Sequence, residues 1–313
     1  MATTAVAHPN IALIKYWGKQ ALSGNIPATP SLSITLDGLT STTTVTDSAH
    51  DRVILDGEVV NDAKIEACLT MLRADLDVGP LEIDSRNDFP TAAGLASSAS
   101  GFAALITAID AHCALGLSDR ARSDYARRAS GSAARSIYGG FVGLSAPDWI
   151  AEPVLEPDAW PLKVVIAITD ENRKDVSSSA GMRLSEETSP YYAAWVTSTA
   201  IDYRGARDAV GKRDFERLAE LAESSCLKMH GVMQSSRPAM LYWRPATVAC
   251  MHAVRELRSE GADVFFTIDA GPQVKAVCTA DAMPTVAERL AETPGVLTTR
   301  SVGLGGGART VAP

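Results

Sequence analysis

The sequence predicts a mixed α/β protein built from two lobes, each of α+β type. Three observations lead there. The chain has 313 residues, 46% of them hydrophobic and 21% charged, enough to bury a sizeable core. Strand patterns crowd its first sixty residues, whereas helical spacings come in blocks in its second half. Between these halves lies PDWIAEPVLEPDAWP, a proline-rich stretch that reads as a connection. Lobes over 1–165 and 166–313 follow, meeting near residues 150–165.

Element by element, NIALIK (10–15) is apolar enough for a buried strand, and SLSITL (31–36) alternates. TSTTTVTD (40–47) is β-branched and suits a strand with one wet face. RVILDGEVV (52–60) places Asp56-Gly57 between two apolar arms, a hairpin signal. Ile65, Leu69 and Leu72 then recur at helical spacing. LEIDS (81–85) is a short strand, followed by helices over about 99–116 and about 118–129, the second opened by a Ser118 cap. GGFVGLSA (139–146) and KVVIAIT (163–169) are strands, the latter a continuous run expected at a sheet centre. The spacing predicts further helices over about 187–209, 213–229, 245–260 and 284–292. Strands are expected over 263–269 and 273–279, and VLTTRSV ends in a glycine-rich tail.

Composition narrows the functional classes. A formal net charge of -8 argues against general nucleic-acid binding, which needs a basic face. It leaves room for an anionic small molecule in a locally basic pocket. The five cysteines and five histidines are scattered, with no CxxC or HExxH spacing, so they predict reduced thiols and no zinc site. No apolar run reaches about 18 residues, and the N-terminus lacks a basic region followed by an apolar stretch. These features predict a cytoplasmic protein.

Five stretches carry candidate chemistry. FPTAAGLASSASG (89–101) is dominated by Gly, Ala and Ser at the mouth of a helix. Backbone N–H groups near Gly94 and the helix N-terminus can face an anion there, with Ser97 and Ser98 offering hydroxyls to phosphate oxygens or magnesium. Close packing of a helix start explains the same composition equally well. ASGSAARSIYGG (129–140) sets Ser130, Gly131 and Ser132 in a polar turn ahead of Arg135, whose guanidinium can hold a carboxylate or phosphate through two parallel bonds. A surface arginine is the plainer alternative.

NIALIKYWGK (10–19) brackets Tyr16 and Trp17 with Lys15 and Lys19, an arrangement that suits an anionic ligand or a snorkelling lysine pair. In FFTIDAGPQVK (265–275), Asp269 ends an apolar strand at a turn. Its carboxylate can orient or deprotonate a hydroxyl, or it can simply cap its own turn. NRKDVSSSAGM (172–182) offers Lys174 to a phosphate, and reads as well as a solvated linker.

In this order, NIALIKYWGK, PSLSITLD, FPTAAGLASSASG, ARRASGSAARSIYGGF, DVSSSAGM, LKMHG and FFTIDAGP closely resemble the mevalonate diphosphate decarboxylase family of the GHMP kinase superfamily. The likeness runs from about residue 8 to 275. It implies an α/β GHMP kinase-like fold of two lobes around a cleft, the N-terminal lobe resembling the ribosomal protein S5 domain 2-like fold and binding ATP. It implies ATP- and magnesium-dependent decarboxylation of mevalonate 5-diphosphate, and, as is common in the family, a homodimer.

Carried over by motif, Ala93, Gly94, Leu95, Ala96, Ser97, Ser98 and Lys174 would bind ATP, with Ser97 nearest the metal. Tyr16, Lys19, Ser130, Gly131, Ser132, Ser178 and Ser179 would hold the substrate. Arg135 would grip its carboxylate and Asp269 would face its 3-hydroxyl, these two and Lys19 forming the catalytic set. The chain departs from the family at Ser179, where bacterial members often carry Arg and eukaryotic members a small polar residue. It departs again at QALSGNIPATP (20–30), where Pro30 removes a backbone donor. The same chemistry on mevalonate 5-phosphate or a related phosphorylated 3-hydroxy acid therefore stands as an alternative, as does a kinase that stops at 3-hydroxyl phosphorylation.

Overall fold

The computed structural model describes residues 2–21, 24–89, 97–172 and 176–312. The chain opens with β1 (Thr3–Ala7), β2 (Asn10–Ile14), β3 (Ser31–Thr35) and β4 (Ser41–Asp47). β4 buries Ser41, Thr43 and Val45 and leaves the threonines between them half-exposed, the period of two that its sequence predicts. The hairpin β5 (Arg52–Leu55) and β6 (Glu58–Val60) turns through Asp56 and Gly57, both at positive φ.

Helix α1 (Ala63–Asp75) starts where Asp62 accepts from the backbone of Lys64 and Ile65, and it buries Ile65, Cys68, Leu69 and Leu72 on one stripe. After β7 (Leu81–Asn87) come α2 (Ser97–His112) and α3 (Asp119–Ala129), the latter capped by the Ser118 hydroxyl. A short 3-10 turn spans Ala133–Ile137, and β8 (Phe141–Ser145) follows.

The proline-rich stretch is more than a connection. It forms β9 (Ile150–Leu155), which pairs with β8. β9 lies at a sheet edge, where Pro153 interrupts no interior ladder, and this reconciles its prolines with a strand. Beyond β10 (Lys163–Ile168), the serine run is not a solvated linker but the start of α4 (Ser178–Thr188), capped by Ser177. The helix expected from 187 instead begins at Tyr192. Pro190 separates α4 from α5 (Tyr192–Lys212). α6 (Phe215–Gln234), α7 (Pro245–Ser259), β11 (Val264–Ile268), β12 (Val274–Cys278), α8 (Met283–Glu292), β13 (Thr298–Gly303) and β14 (Arg309–Val311) complete the chain.

Three sheets result, with strand orders β14-β1-β4-β7-β5-β6, β2-β3-β8-β9 and β11-β12-β10-β13. The first is covered by α1, α2 and α3. The third is buried on both faces: Val164, Ile166 and Ile168 of β10 enter one core while Val165 and Ala167 enter another with α7 and α8. Double burial explains the unbroken apolar run of β10, although both its neighbours are antiparallel. The α5–α6 pair packs between the second and third sheets, in a core that joins Ile11, Leu13 and Leu32 to Ala206, Val210 and Phe265.

The end of the chain returns to its beginning. β14 pairs with β1, and on the way the Ala308 N–H donates to the Ile137 carbonyl at 3.1 Å. A methyl group on Gly307 would collide with that same carbonyl, whereas one on Gly306 would meet nothing. Chemical denaturation should therefore show Gly307→Ala destabilised by about 1–3 kcal/mol through overpacking. Gly306→Ala should stay within about 0.5 kcal/mol of the parent. Equal effects at the two positions would contradict this packing.

Candidate active site

A cleft of about 1320 Å³ is lined by the ends of β2, α3, α4 and β11 and by one side of α1. Its walls include Tyr16, Lys19, Ser97, Ser98, Ser130, Gly131, Ser132, Arg135, Ser178, Ser179 and Asp269, so residues more than 250 positions apart in sequence meet in one cavity. Ala93, Gly94, Leu95, Ala96 and Lys174 lie outside the described residues. Among the described residues, Lys15, Lys19, Lys64, Arg128 and Arg135 line the cleft against one acidic side chain, Asp269. An acidic protein thus presents a locally cationic cavity.

Asp269 follows β11 directly, and Lys15 follows β2 directly. Lys15 Nζ donates to Asp269 Oδ1 at 2.6 Å, and Lys275 Nζ lies 3.2 Å from Oδ2. Both lysines are 1% exposed. Burial alone would raise the Asp269 carboxyl, but the two ammonium groups outweigh it and hold the carboxyl well below the usual carboxylate range. Burial lowers Lys275, against the opposing pull of Asp269. The cluster carries one negative and two positive charges, and its carboxylate is about a quarter exposed to the cleft.

Helix α6 holds this cluster in register. Ser225 Oγ accepts from the Lys15 backbone N–H at 3.0 Å, and Cys226 Sγ accepts from the Ile268 N–H at 3.2 Å. His230 Nε2 stands 3.3 Å from the Ile268 carbonyl, which can only accept, so this nitrogen carries the proton. Burial pushes the His230 imidazole down to about 3, and the Lys15 charge adds to the effect, leaving the ring neutral. Thr267 Oγ1 donates to the Ala12 carbonyl at 3.2 Å and ties β11 to β2 directly.

Arg135 sits in the 3-10 turn and is fully buried. Its Nη1 donates to Ser31 Oγ at 2.6 Å and its Nε to Asn10 Oδ1 at 3.4 Å. The amide of Asn10 also donates to the Ser132 carbonyl and to Ser136 Oγ, at 3.0 and 2.8 Å, pinning the turn from below. Burial lowers the guanidinium to about 10, so it remains charged at neutral pH. The Tyr16 ring centroid lies 6.0 Å from the guanidinium carbon, and burial pushes its phenol up to about 12. Tyr16 Oη is buried without a partner among the described residues. Gly131 packs so closely that a methyl group there would come within 2.5 Å of this oxygen.

Lys19 Nζ donates to Asn25 Oδ1 at 2.7 Å and to Ser179 Oγ at 3.2 Å. Burial lowers it, helped by the charges of Lys64 and Arg183. Ser178 and Ser179 occupy the first turn of α4. Ser97 and Ser98 open α2 and also line the cleft, the helix start being anchored by Ser100 Oγ, 2.7 Å from Ser41 Oγ. Sequence reasoning missed Lys275 and Asn10 as site residues and offered Lys15, with Lys19, to an anionic ligand, whereas the structure pairs it with Asp269. A lysine inside the wholly buried strand VKAVC was the available signal, since an ammonium is buried only with a partner.

The three sheets, with helices inserted between them and a cationic cleft at the strand ends, have the GHMP kinase fold. Residues 7–148 match the diphosphomevalonate decarboxylase-like N-terminal domain, and residues 164–300 match the mevalonate 5-diphosphate decarboxylase C-terminal domain. The chain is 36% identical over 301 residues to the diphosphomevalonate decarboxylase mvd1 of Aspergillus fumigatus, covering 86% of this chain and 74% of that one. It superposes with a TM-score of 0.90 on mevalonate diphosphate decarboxylase from Enterococcus faecalis, at 35% identity, spanning 100% of this chain and 99% of that one. A structure described as MDDEF in complex with MVAPP, AMPPCP and magnesium is 36% identical, covers 100% and 99% of the two chains, and gives 0.91. The chain belongs to the diphosphomevalonate decarboxylase family.

The depressed carboxyl predicts its own pH behaviour. A group whose folded value lies below its unfolded one adds stability at every pH above the ordinary carboxylate range, and the contribution is lost as pH falls through the folded value. Replacing Lys15 by Met removes one of the two ammonium groups that hold it there. A ¹³C carboxyl titration should show the Asp269 midpoint moving upward in Lys15→Met, and an unmoved midpoint would assign the depression to Lys275 alone.

Proposed function

We propose that this chain is an ATP-dependent decarboxylase that converts mevalonate 5-diphosphate to isopentenyl diphosphate, ADP, phosphate and carbon dioxide. One observation carries the reading: an ionised carboxylate, Asp269, shares a cationic cleft with the buried guanidinium of Arg135 and with Lys19. The relatives and the solved complexes described above support the choice of acid and nucleotide.

A β-hydroxy acid does not lose carbon dioxide readily, because hydroxide leaves poorly. Transfer of the γ-phosphoryl group to the 3-oxygen creates a good leaving group. The C3–O bond then breaks with release of phosphate, and the C1–C2 bonding electrons form the C2=C3 double bond as carbon dioxide departs. Asp269 serves the first step by accepting the hydrogen bond of the 3-hydroxyl and aligning its oxygen with the nucleotide. Held below the usual range, its carboxylate is a weak base in the ground state. It takes the proton only as the forming P–O bond makes the hydroxyl strongly acidic. Lys15 and Lys275 keep it ionised and in place.

Arg135 serves the second step. Asn10 and Ser31 each take one of its N–H donors and fix the plane of the fork, so the guanidinium meets a carboxylate in one orientation. Tyr16 Oη, buried and without a partner among the described residues, together with Lys19 and the Ser130–Ser132 turn, would hold the substrate's phosphate end. Ser97 and Ser98 at the start of α2 would face the nucleotide phosphates, with the helix N-terminus behind them.

The donor chemistry fits magnesium that arrives on the nucleotide. Hydroxyls line this side of the cleft, and no cluster of three or more His, Cys, Asp or Glu exists among the described residues to hold a bare cation. Ser97 would be the nearest protein oxygen. When bound, the ion supplies charge neutralisation at the transferring phosphoryl group.

The direct test is product analysis with purified protein, ATP and either mevalonate 5-diphosphate or 5-phosphate. Carbon dioxide, phosphate and ADP should appear together with the diphosphate. A 3-phosphorylated acid accumulating without gas would make the chain a kinase instead. Asp269→Asn should lower kcat by about 10²-fold or more while leaving affinity for an ATP analogue nearly unchanged. Arg135→Ala should weaken use of the acid by roughly ten- to a hundredfold. A loss confined to nucleotide affinity would contradict the assigned role.

A further inference from the structure

Asn25 belongs to none of the motifs that define the cleft, yet its side chain joins two of them. It occupies the segment that departs from the family pattern, with its backbone at φ +54°, a left-handed conformation that asparagine tolerates well. Its Oδ1 accepts from Lys19 Nζ at 2.7 Å, and its Nδ2 donates to the Arg128 carbonyl at 2.7 Å and to the Ala129 carbonyl at 3.4 Å. One amide thus links Lys19 to the end of α3, immediately before the Ser130–Ser132 turn.

The choice of amide matters electrostatically. Lys15 is neutralised by a carboxylate, whereas Lys19, four residues on, is fixed by a group that carries no charge. A carboxylate at 25 would make the same contact with the ammonium but cancel its field. The amide fixes the ammonium and leaves its charge available to a ligand. Lys64 and Arg128 line the cleft alongside it, Arg128 being paired with Asp75 at 2.8 Å. Lys19 also reaches Ser179, so this end of the cleft combines a positioned cation with a hydroxyl, the chemistry of a phosphate site.

We infer that Asn25 is a specificity-determining residue that holds Lys19 ready for the substrate's terminal phosphate and so lets this chain distinguish a diphosphate from a monophosphate. The inference rests on the substrate class proposed above. It gives the chain its own device at the place where Ser179 stands instead of an arginine.

Calorimetric titration without nucleotide tests it, using mevalonate 5-diphosphate and 5-phosphate against the parent chain, Asn25→Gly and Asn25→Asp. Glycine keeps the left-handed backbone and removes the amide, while aspartate keeps the contact with Lys19, adds a charge and gives up the donor bonds to the Arg128 and Ala129 carbonyls. The parent should prefer the diphosphate. Asn25→Gly should weaken diphosphate binding by roughly tenfold or more with little change for the monophosphate, and Asn25→Asp should weaken it further. Affinity for an ATP analogue should be unaltered in both variants. Parental diphosphate affinity in both variants, equal losses on both ligands, or a parent without preference would each overturn the inference. A parent that binds the diphosphate selectively but releases no carbon dioxide would sink the functional reading and leave this one standing.

Discussion

The contact on which the site depends is the buried triad of Lys15, Asp269 and Lys275. Two ammonium groups that are 1% exposed cannot remain charged in a protein interior without an anion, and Asp269 supplies it. In return the lysines hold the carboxyl well below its usual range, against the burial that would raise it. Lys15 comes from the second sheet, whereas Asp269 and Lys275 come from the third, so the triad is also a cross-link between sheets. Disturbing it would alter the chemistry of the cleft and the relation between its walls together.

Around that contact the fold works as a frame. α6 lies against the ends of β2 and β11 and satisfies their backbone through Ser225, Cys226 and His230. A neutral imidazole suits this place, since a third positive charge beside Lys15 and Lys275 would compete for the single carboxylate. Asn10 does the corresponding work for Arg135, binding the arginine and the turn that carries it. The returning C-terminal segment braces the same turn through Ile137. Asp269, Arg135 and Lys19 are thus each held by a further polar contact, whereas Tyr16 Oη has no partner among the described residues.

Charge is distributed unevenly on purpose-built surfaces. The chain is acidic as a whole, yet among the described residues the cleft gathers five cations around one carboxylate. Such a cavity raises the local concentration of anions even though the protein as a whole is acidic. Within the cleft, Lys15 and Lys19 lie four positions apart in sequence and have different partners, Asp269 and Asn25. One is consumed by Asp269 and the other is left charged.

Local chemistry is what the sequence by itself determined. The alternation of STTTVTD, the Asp56-Gly57 hairpin, the Ser118 cap and the apolar stripe of α1 all depend on neighbours within a few residues, and each stands where its pattern predicts. The sequence also singled out Tyr16, Lys19, Ser97, Ser98, the Ser130–Ser132 turn, Arg135, Ser178, Ser179 and Asp269, which the fold gathers along one cleft. Tertiary structure decided what required distant partners. Pro153 could sit in a strand only because β9 found an edge, and SSSAGM became helical with its first turn beside Lys19. Lys275 read as an ordinary strand residue until Asp269 and Lys15 closed on it. The physical reason is common to these cases: a buried charge or an unpaired backbone group is tolerated only with a partner, and that partner is supplied by folding.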